Sequence, residues 1–351
     1  MPGTMTAAVL HGPRDLRLEP RPVPAPGPGM VLLRVRRAGI CGSDLHYYRE
    51  GRCGPFVPTR PFVPGHELVG DVAAAGDGVA APAVGARVAV NPVRACGACE
   101  ACRGARPNLC PRTVMLGSAS TTPPTDGAFA AYVAVRADQC HALPDAVDDG
   151  AAAMIEPFAV GLHAIRRAGA VKGGSVLVLG GGAIGLTTLL AAKACGAARV
   201  ALGDPVEARR RAAVALGADE ALDPAAPGAM DRAKDLSDGG FHVVVEAAGA
   251  PPALRQALRL VRTGGTVVQV GTLGTDEIPI PAHLVMTREL QVVGSFRYGA
   301  AFAEAAGLVA SGRVDLLPLL SRVVPLGGVA GALEGAGDPG HAIKVQIDLL
   351  A

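Results

Sequence analysis

Residues 176–185 read VLVLGGGAIG, and they decide the fold because a strand, a glycine turn and a helix start follow one another without a break. Gly180, Gly182 and Gly185 make the pattern GxGxxG directly after the branched apolar run. The first glycine permits the tight turn, the second lets a pyrophosphate approach the backbone, and the third lets the helix pack closely on the strand. The pattern therefore predicts a dinucleotide turn, with the phosphates at the N-terminus of the helix. Its candidate cofactor residues are Gly180, Gly182, Ala183, Ile184 and Gly185.

An acidic residue farther along the chain supports this interpretation. Asp204 ends the next apolar run, 19 residues beyond Gly185. A carboxylate at this place accepts a hydrogen bond from the ribose 2′-hydroxyl of NAD and repels the 2′-phosphate of NADP. Arg209 follows within a basic run, so NADP stays open as an alternative cofactor. A glycine turn followed by an acidic helix cap, without any cofactor, is the competing interpretation.

The second half of the chain alternates between strand and helix patterns. Helical patterns cover residues 183–195 and 251–262, with strand patterns on both sides of them. Such alternation is typical of a doubly wound parallel sheet. An earlier helical pattern begins near residue 148 and is expected to break at Pro157. The strand candidates read SVLVLG, ARVALGD, ADEALD, FHVVVEA, GTVVQVG and ELQVVGS.

The first part of the chain has a mostly-β pattern, in which short apolar runs alternate with glycine and proline. The C-terminal tail, which ends in AIKVQIDLL, is too short for a domain of its own and is expected to return to the N-terminal domain. We therefore expect an α/β protein with a mostly-β domain over 1–157 and 295–351, and a dinucleotide-binding domain over 158–294.

Composition excludes several other classes of protein. The chain has 351 residues, enough for two domains, with 33 basic and 31 acidic residues spread along it. It has no basic run interleaved with aromatic residues, so neither nucleic acid nor a membrane surface is an expected partner. The uncharged stretch 173–192 has the length of a membrane span, but its glycines divide it into a strand and a helix. Because no secretory signal is recognisable, we expect a cytoplasmic protein.

Four cysteines lie close together, at intervals of two, two and seven intervening residues. Four thiolates can complete a tetrahedral shell around one Zn²⁺ at about 2.3 Å each, which leaves no position for a substrate. The spacing predicts a structural zinc that stiffens a loop with little core of its own. An iron–sulfur cluster or disulfide bonds are the competing interpretations. The four residues are Cys96, Cys99, Cys102 and Cys110, whereas Cys53, Cys140 and Cys195 lack metal spacing and are expected to be packing residues.

Three separated segments, which contain Cys41, His66-Glu67 and Glu156, offer a sulfur, a nitrogen and a carboxylate oxygen as ligands of a catalytic zinc. Such a site keeps one coordination position for water or a substrate oxygen. Taken singly, each residue has an ordinary explanation, as a small core residue, a turn residue and a charge at a helix start. Their combination with a dinucleotide turn favours a catalytic site.

With these residues in view, the chain resembles the zinc-dependent medium-chain alcohol and polyol dehydrogenases. The resemblance rests on CGSDLH at 41–46, GHELVGDVAAAGDGV at 65–79, the cysteine quartet, the glycine turn with Asp204, and the Glu156-Pro157 pair. It covers essentially the whole chain, in the family's order and spacing. The resemblance implies a GroES-like mostly-β catalytic domain and a Rossmann domain, one catalytic and one structural zinc, and NAD as cofactor.

The resemblance also implies a role for each site residue. Cys41 and His66 look like zinc ligands, and Asp44 resembles the carboxylate that orients His66. Glu67 looks like a ligand or a carboxylate that exchanges with water, and Glu156 like a ligand or the partner of the zinc-bound water. The other implied residues are Ser43 and His46 in a proton relay, Val270 and Val292 as backbone contacts of the nicotinamide, and Tyr47, Arg297 and Tyr298 as substrate contacts.

Within the family, GICGSDLHYYREG and GSFRY look most like the polyol branch, and most like its members that oxidise L-idonate. The guanidinium of Arg297 suits a sugar acid because it can bind hydroxyls or a carboxylate in a bidentate way; a surface ion pair is its alternative explanation. We expect oxidation of L-idonate to 5-ketogluconate by a homotetramer or homodimer. The alternatives are oxidation of sorbitol, xylitol or L-threonine, and a non-catalytic protein that binds a dinucleotide and zinc.

Overall fold

The computed structural model describes residues 2–274, 276–335 and 342–351. The chain divides into two compact units, one formed by Met1–Glu156 with Phe302–Ala351 and the other by Pro157–Ala301. The strands are β1 Thr4–Gly12, β2 Asp15–Pro22, β3 Met30–Gly39, β4 Glu67–Ala75, β5 Arg87–Val90, β6 Val93–Arg94, β7 Val114–Met115, β8 Tyr132–Arg136, β9 Cys140–Ala142, β10 Ser175–Leu179, β11 Arg199–Gly203, β12 Glu220–Leu222, β13 Phe241–Glu246, β14 Val261–Gln269, β15 Gln291–Gly294, β16 Leu320–Pro325 and β17 Lys344–Asp348. The α-helices are α1 Gly42–Glu50, α2 Glu100–Arg103, α3 Asp149–Ala153, α4 Ile155–Arg167, α5 Ala183–Ala194, α6 Glu207–Ala215, α7 Ala229–Asp235, α8 Pro251–Leu260, α9 His283–Thr287, α10 Ala301–Ala310 and α11 Val329–Gly335.

The first unit is built on a sheet in the order β16-β17-β3-β4-β5-β9, with β8 also paired to β3. Strands β3 and β4 are antiparallel, and their register places Gly39 opposite Glu67. The buried residues around this sheet are mostly Ala, Val and Leu, as the low aromatic content predicts, with Phe62 and Phe129 among the few large side chains. The same sheet brings the C-terminal strand β17 against β3, so the tail returns to the N-terminal unit as expected.

The second unit contains a parallel sheet in the order β12-β11-β10-β13-β14-β15. The strand order reverses between β10 and β13, and dinucleotides bind at the carboxyl ends of the strands at such a switch point. Each predicted strand segment overlaps an observed strand. The doubly wound parallel sheet and the mostly-β first unit are therefore confirmed.

The helix before the second unit differs from the prediction. The expected break at Pro157 is wrong, because the chain is interrupted at Met154 and Pro157 lies in the first turn of α4. A proline is tolerated there because the amide groups of a first helical turn have no acceptor within the helix. Helix α8 also ends earlier than predicted, since the chain is already extended from Val261 onward in β14.

The first unit gives way to the second after Glu156, close to the expected domain limit at residue 157. The return to the first unit comes after Ala301, later than the expected limit at residue 294. The segment 295–301, expected in the mostly-β domain, belongs to the second unit. The amide of Ser295 donates to the carbonyl of Gln269 at 2.9 Å, which continues the pairing of β15 with β14. Tyr298 is buried, and its carbonyl accepts from the amide of Ala301 at 2.7 Å.

None of the helices in the described part of the chain has the length and apolar character that a membrane span requires.

Candidate functional site

The structure brings Cys41, His66 and Glu67 together in the first unit. Cys41 precedes α1 and follows β3 closely, while His66 and Glu67 stand at the start of β4. Because Gly39 of β3 pairs with Glu67 of β4, the antiparallel register carries Cys41 to the two residues of the next strand. One sulfur, one nitrogen and one oxygen atom of these side chains all lie within 4.8 Å of one another.

Two polar atoms of this cluster are buried without a hydrogen bond. His66 is 2% exposed and Glu67 is 1% exposed. Neither Nδ1 of His66 nor Oε2 of Glu67 has a partner among the described residues. A buried polar atom left without a partner costs about 1–3 kcal/mol. The sulfur, nitrogen and oxygen donors that the cluster brings together are a set that Zn²⁺ takes in proteins. The residues therefore fit a catalytic zinc.

Asp44 accepts hydrogen bonds from the backbone of Cys41 and of Gly65, the residue before His66, and does not bond the imidazole. Its Oδ2 accepts from the amide of Cys41 at 2.9 Å, and its Oδ1 accepts from the amide of Gly65 at 3.3 Å. The distance from Oδ1 to Nδ1 of His66 is 3.9 Å, which is longer than a hydrogen bond. Burial would lower the pKa of His66, but the thiolate of Cys41 and the carboxylate of Asp44 hold that pKa well above its usual range.

Lys344 is a residue of this site that sequence reasoning missed. It begins β17 and is 4% exposed, and its Nζ donates to Oε1 of Glu67 and, at 2.9 Å, to the carbonyl of Ile40. Burial lowers the pKa of Lys344, but Glu67, Cys41 and Glu156 together outweigh burial, and the pKa is raised. Glu67 is thus bound through one oxygen and free at the other. A lysine inside the run AIKVQIDLL was the only signal in the sequence.

Glu156 is the remaining proposed ligand, and it stands in the first turn of α4. Its carboxylate lies outside the group of atoms that are mutually within 4.8 Å. Burial, with a contribution from the carboxylate of Glu67, raises the pKa of Glu156 to about 7. The charges of His66 and Lys344 oppose this rise, so Glu156 interacts electrostatically with the cluster.

The two residues expected in a proton relay lie on α1. Ser43 and His46 are three positions apart, which places them on the same face of the helix. His46 is half exposed, and its Nδ1 lies 2.8 Å from Oε1 of Glu50. Tyr47, on the same helix, is buried, and its hydroxyl accepts from the amide of Ala119 at 3.0 Å.

The four clustered cysteines also come together. Sγ of Cys99 lies 3.5 Å from Sγ of Cys102, and Sγ of Cys96 lies 3.9 Å from the same atom. Four sulfurs at about 2.3 Å from one ion would lie about 3.8 Å apart. All four thiols are free of disulfide bonds, which excludes the disulfide interpretation. The distances fit a structural zinc with four thiolate ligands.

The glycine turn of the second unit has the contacts that the GxGxxG pattern predicts. Gly180 has a φ of 107°, and a Cβ atom on it would lie 2.6 Å from the amide nitrogen of Ala248. Gly182 immediately precedes α5, and nothing lies within 4 Å of the position its Cβ would take, so this side of the turn is open to a ligand. The carboxylate of Asp204 accepts from the amide of Gly181 at 2.7 Å and from that of Val206 at 2.8 Å. The glycine turn and Asp204 are therefore joined by hydrogen bonds, and their arrangement fits NAD.

The other residues expected near cofactor or substrate are more scattered. A guanidinium nitrogen of Arg209 lies 3.5 Å from Oδ2 of Asp204. Val270 directly follows β14, whereas Val292 lies within the edge strand β15 and is 46% exposed. Arg297 belongs to the second unit, like Tyr298, and its guanidinium lies 4.8 Å from the ring centroid of Phe296.

A second residue missed by sequence reasoning is Glu246, the last residue of β13. Its side chain is fully buried beside β10, at the switch point. Burial raises the pKa of Glu246, and amide donors from the following loop oppose the rise. The only sequence signal was an acidic residue at the end of an otherwise apolar strand.

The chain is similar over most of its length to known dehydrogenases. A family model of the alcohol dehydrogenase GroES-like domain matches residues 27–145, and a zinc-binding dehydrogenase model matches residues 183–311. A sorbitol dehydrogenase of Bacillus subtilis is 40% identical over 337 residues, which cover 96% of this chain and 94% of the relative.

Solved structures agree with these matches. The crystal structure of L-idonate 5-dehydrogenase from Escherichia coli has a TM-score of 0.92 and 34% identity, and covers 98% of both chains. A protein of Sinorhizobium meliloti, described as a zinc-binding dehydrogenase and bound to NADP, has a TM-score of 0.90 and 33% identity, and covers 99% of this chain and 100% of that chain. The chain has two groups of residues that could hold zinc, and it has a dinucleotide turn. It belongs to the zinc-dependent medium-chain alcohol and polyol dehydrogenases.

Proposed function

We propose that this dehydrogenase oxidises a secondary alcohol of a neutral polyol such as sorbitol, with NAD⁺ as the acceptor. We further propose that Cys41, His66 and a glutamate, either Glu67 or Glu156, hold the catalytic zinc. The observation that carries the zinc assignment is the buried cluster in which a sulfur of Cys41, a nitrogen of His66 and an oxygen of Glu67 lie within 4.8 Å of one another. A protein that only binds dinucleotide and zinc has no need of the half-exposed His46 on the face of α1 that carries Ser43.

When bound, the zinc polarises the substrate hydroxyl and lowers its pKa, and NAD⁺ accepts the hydride. Asp44 orders the two ligand-bearing segments through the amides of Cys41 and Gly65. Lys344 holds one oxygen of Glu67, while the other, Oε2, has no hydrogen bond among the described residues.

The chain's own route for the alcohol proton is Ser43 followed by His46. Proton transfer between positioned side chains contributes about 10²–10⁴-fold to such reactions. His46 suits the outer end of the route because its ring is half exposed and contacts the carboxylate of Glu50 at 2.8 Å. Asp204 and the amides at the start of α5 bind the cofactor ribose and pyrophosphate in this proposal.

We infer a neutral polyol as the first candidate substrate because this chain is 40% identical to the sorbitol dehydrogenase and 34% identical to the L-idonate enzyme. L-Idonate is the second candidate, and one residue favours it. Arg297, whose guanidinium lies 4.8 Å from the ring centroid of Phe296, is of a residue type that can bind a carboxylate in a bidentate way.

A substrate panel tests the proposal. Initial rates of cofactor reduction are measured with D-sorbitol, xylitol, L-idonate and L-threonine, each with NAD⁺ and with NADP⁺. We expect turnover of sorbitol or xylitol with NAD⁺, and loss of turnover after incubation with a zinc chelator. Preference for L-idonate would move the enzyme to sugar acids, and Arg297→Ala should then lower its kcat/KM for L-idonate and not for sorbitol. Absence of turnover with all four substrates would contradict the proposal.

A further inference from the structure

Glu246 has no part in the chemistry described so far, yet it occupies the centre of the second unit. It ends β13 at the carboxyl edge of the parallel sheet, and its neighbour β10 leads directly into the glycine turn. The side chain has no exposed surface. A carboxylate in such a place requires several hydrogen-bond donors to offset its lost hydration.

The first oxygen of Glu246 fixes the loop that follows β13. Oε1 accepts from the amide of Ala248 at 2.9 Å and from that of Gly249 at 2.7 Å. The amide of Ala247 donates to the carbonyl of Leu179 at 2.8 Å, so the loop runs beside the end of β10. The close approach of Ala248 to Gly180 completes this contact with the glycine turn.

The second oxygen of Glu246 fixes the segment that follows β14. Oε2 accepts from Nε2 of Gln269 at 2.7 Å, and the same nitrogen donates to the carbonyl of Gly271 at 2.7 Å. The main-chain carbonyl of Glu246 also accepts from the amides of Val270 at 2.9 Å and Gly271 at 3.0 Å. Glu246 thus joins two segments that are distant in sequence, one on each side of its own strand.

The position of these segments indicates which half of the cofactor they serve. A dinucleotide lies across the switch point, with one mononucleotide over each half of the sheet. Asp204, at the end of β11, marks the half that receives the adenosine ribose. The segments held by Glu246 follow β13 and β14, in the half that remains for the nicotinamide.

We propose that Glu246, together with Gln269, is a positioning residue that sets the loops after β13 and β14 in the conformation that receives the nicotinamide half of NAD. The inference rests on the proposed function in taking NAD as the cofactor. It requires a carboxylate at position 246, because both oxygens face donors. In Glu246→Gln, the new amide group would face either Nε2 of Gln269 or the amides of Ala248 and Gly249, which places a donor against a donor.

The hydrogen-bond pair can be reversed, which provides a rescue test. The variants are Glu246→Gln, Gln269→Glu and the double substitution, in which an amide at 246 donates to a carboxylate at 269. Binding of NADH is followed by its own fluorescence, which is simplified because the chain has no tryptophan. Binding of ADP-ribose, which lacks the nicotinamide, is measured by calorimetry.

We expect Glu246→Gln to weaken NADH binding by about tenfold, since a hydrogen bond to a charged group is lost. ADP-ribose binding should change by less than about twofold, and the double variant should recover most of the NADH affinity. Recovery is incomplete because a carboxylate at 269 cannot donate to the carbonyl of Gly271. Equal losses for both ligands would overturn the inference, since they would indicate general destabilisation, and so would unchanged NADH binding.

Two controls separate this inference from the proposed function. If the unaltered enzyme does not bind NADH, the cofactor assignment itself fails; if it binds NADH and Glu246→Gln binds equally well, only the role of Glu246 fails. Should Glu246→Gln not fold, Gln269→Ala leaves in place the buried carboxylate and its hydrogen bonds from the amides of the following loop. It should weaken NADH binding by about threefold and leave ADP-ribose binding unchanged, and an unchanged NADH affinity would overturn the inference.

Discussion

Nζ of Lys344 donates to Oε1 of Glu67, although 277 positions separate the two residues in the sequence and both side chains are almost completely buried. The pair lies within the first unit, where β17 carries the lysine and β4 carries the glutamate. Removing one partner of a buried ion pair strongly destabilises a protein, because the remaining charge has no partner.

Replacing Lys344 should therefore destabilise the first unit. We expect Lys344→Met to lower the free energy of unfolding by about 3–5 kcal/mol, because Glu67 keeps a buried charge without its cation. Lys344→Arg, which keeps the charge, should lose much less. Denaturant unfolding with zinc content measured in parallel checks this, and equal stability of the methionine and arginine variants would contradict the importance of the ion pair.

Replacing Cys41 should separate catalysis from cofactor binding. Loss of a ligand removes several kcal/mol of Lewis-acid stabilisation, so Cys41→Ala should lower kcat by at least about a thousandfold. NADH affinity should stay within about twofold, because the dinucleotide turn belongs to the second unit. The matched control is Cys140→Ala, which removes a thiol of the same unit outside both cysteine-containing clusters and should leave kcat nearly unchanged. A parallel loss of turnover and NADH binding in Cys41→Ala would exclude its role as a ligand.

Replacing Asp204 should weaken NAD selectively. Asp204→Ala removes the acceptor of the amides of Gly181 and Val206 as well as the proposed ribose contact. Loss of about 1.5–3 kcal/mol corresponds to about 10–150-fold weaker NAD binding. NADP binding should change less or improve, because the repulsive carboxylate is gone. Calorimetry with both cofactors measures the change, and an unaltered NAD affinity would remove Asp204 from the site.

Removing one thiolate of the cysteine quartet should release one metal ion and destabilise the loop. We expect Cys99→Ser to lower the zinc content from two ions per chain to one, with one ion retained at the cluster of Cys41. The free energy of unfolding should fall by at least about 3 kcal/mol, because a bound metal contributes directly to folding. Elemental analysis with thermal unfolding tests this, and an iron signal would revive the iron–sulfur interpretation.

Two cysteines outside the clusters should resist alkylation. Burial raises the pKa of Cys140 to about 12 and that of Cys53 to about 11. Only the thiolate reacts, so near pH 8 each should be alkylated at least about a hundredfold more slowly than a free cysteine with a pKa of about 8.5. Their rates should rise about tenfold per pH unit without a plateau below pH 10. Iodoacetamide labelling with mass spectrometry measures this, and labelling at the rate of free cysteine would show that the thiols are accessible and ionised.

Much of the fold and of the metal chemistry could be predicted because it depends on residues that are close together in the sequence. The order of strand, GxGxxG turn and helix is contained in the short stretch 176–185. A Cβ atom on Gly180 would meet the backbone of Ala248, and one on Gly185 would meet the carbonyl of Gly180, so both positions require glycine. The cysteine spacing likewise places four sulfurs within one loop, and the structure brings them together as predicted. Pro157 shows the limit of such patterns, since the same residue can end a helix or begin one.

The sequence by itself determined the fold class, the dinucleotide turn, the cysteine quartet and the identity of Cys41 and His66 as candidate ligands. Only the tertiary structure decided that Lys344 holds Glu67, that Asp44 bonds two backbone amides, and that Glu246 joins the loops after β13 and β14. The physical reason is the separation along the sequence of the residues that make contact. A motif whose parts touch through neighbouring positions is visible in the spacing of residues, whereas these three contacts depend on strand pairing and loop packing across the chain, which no local spacing records.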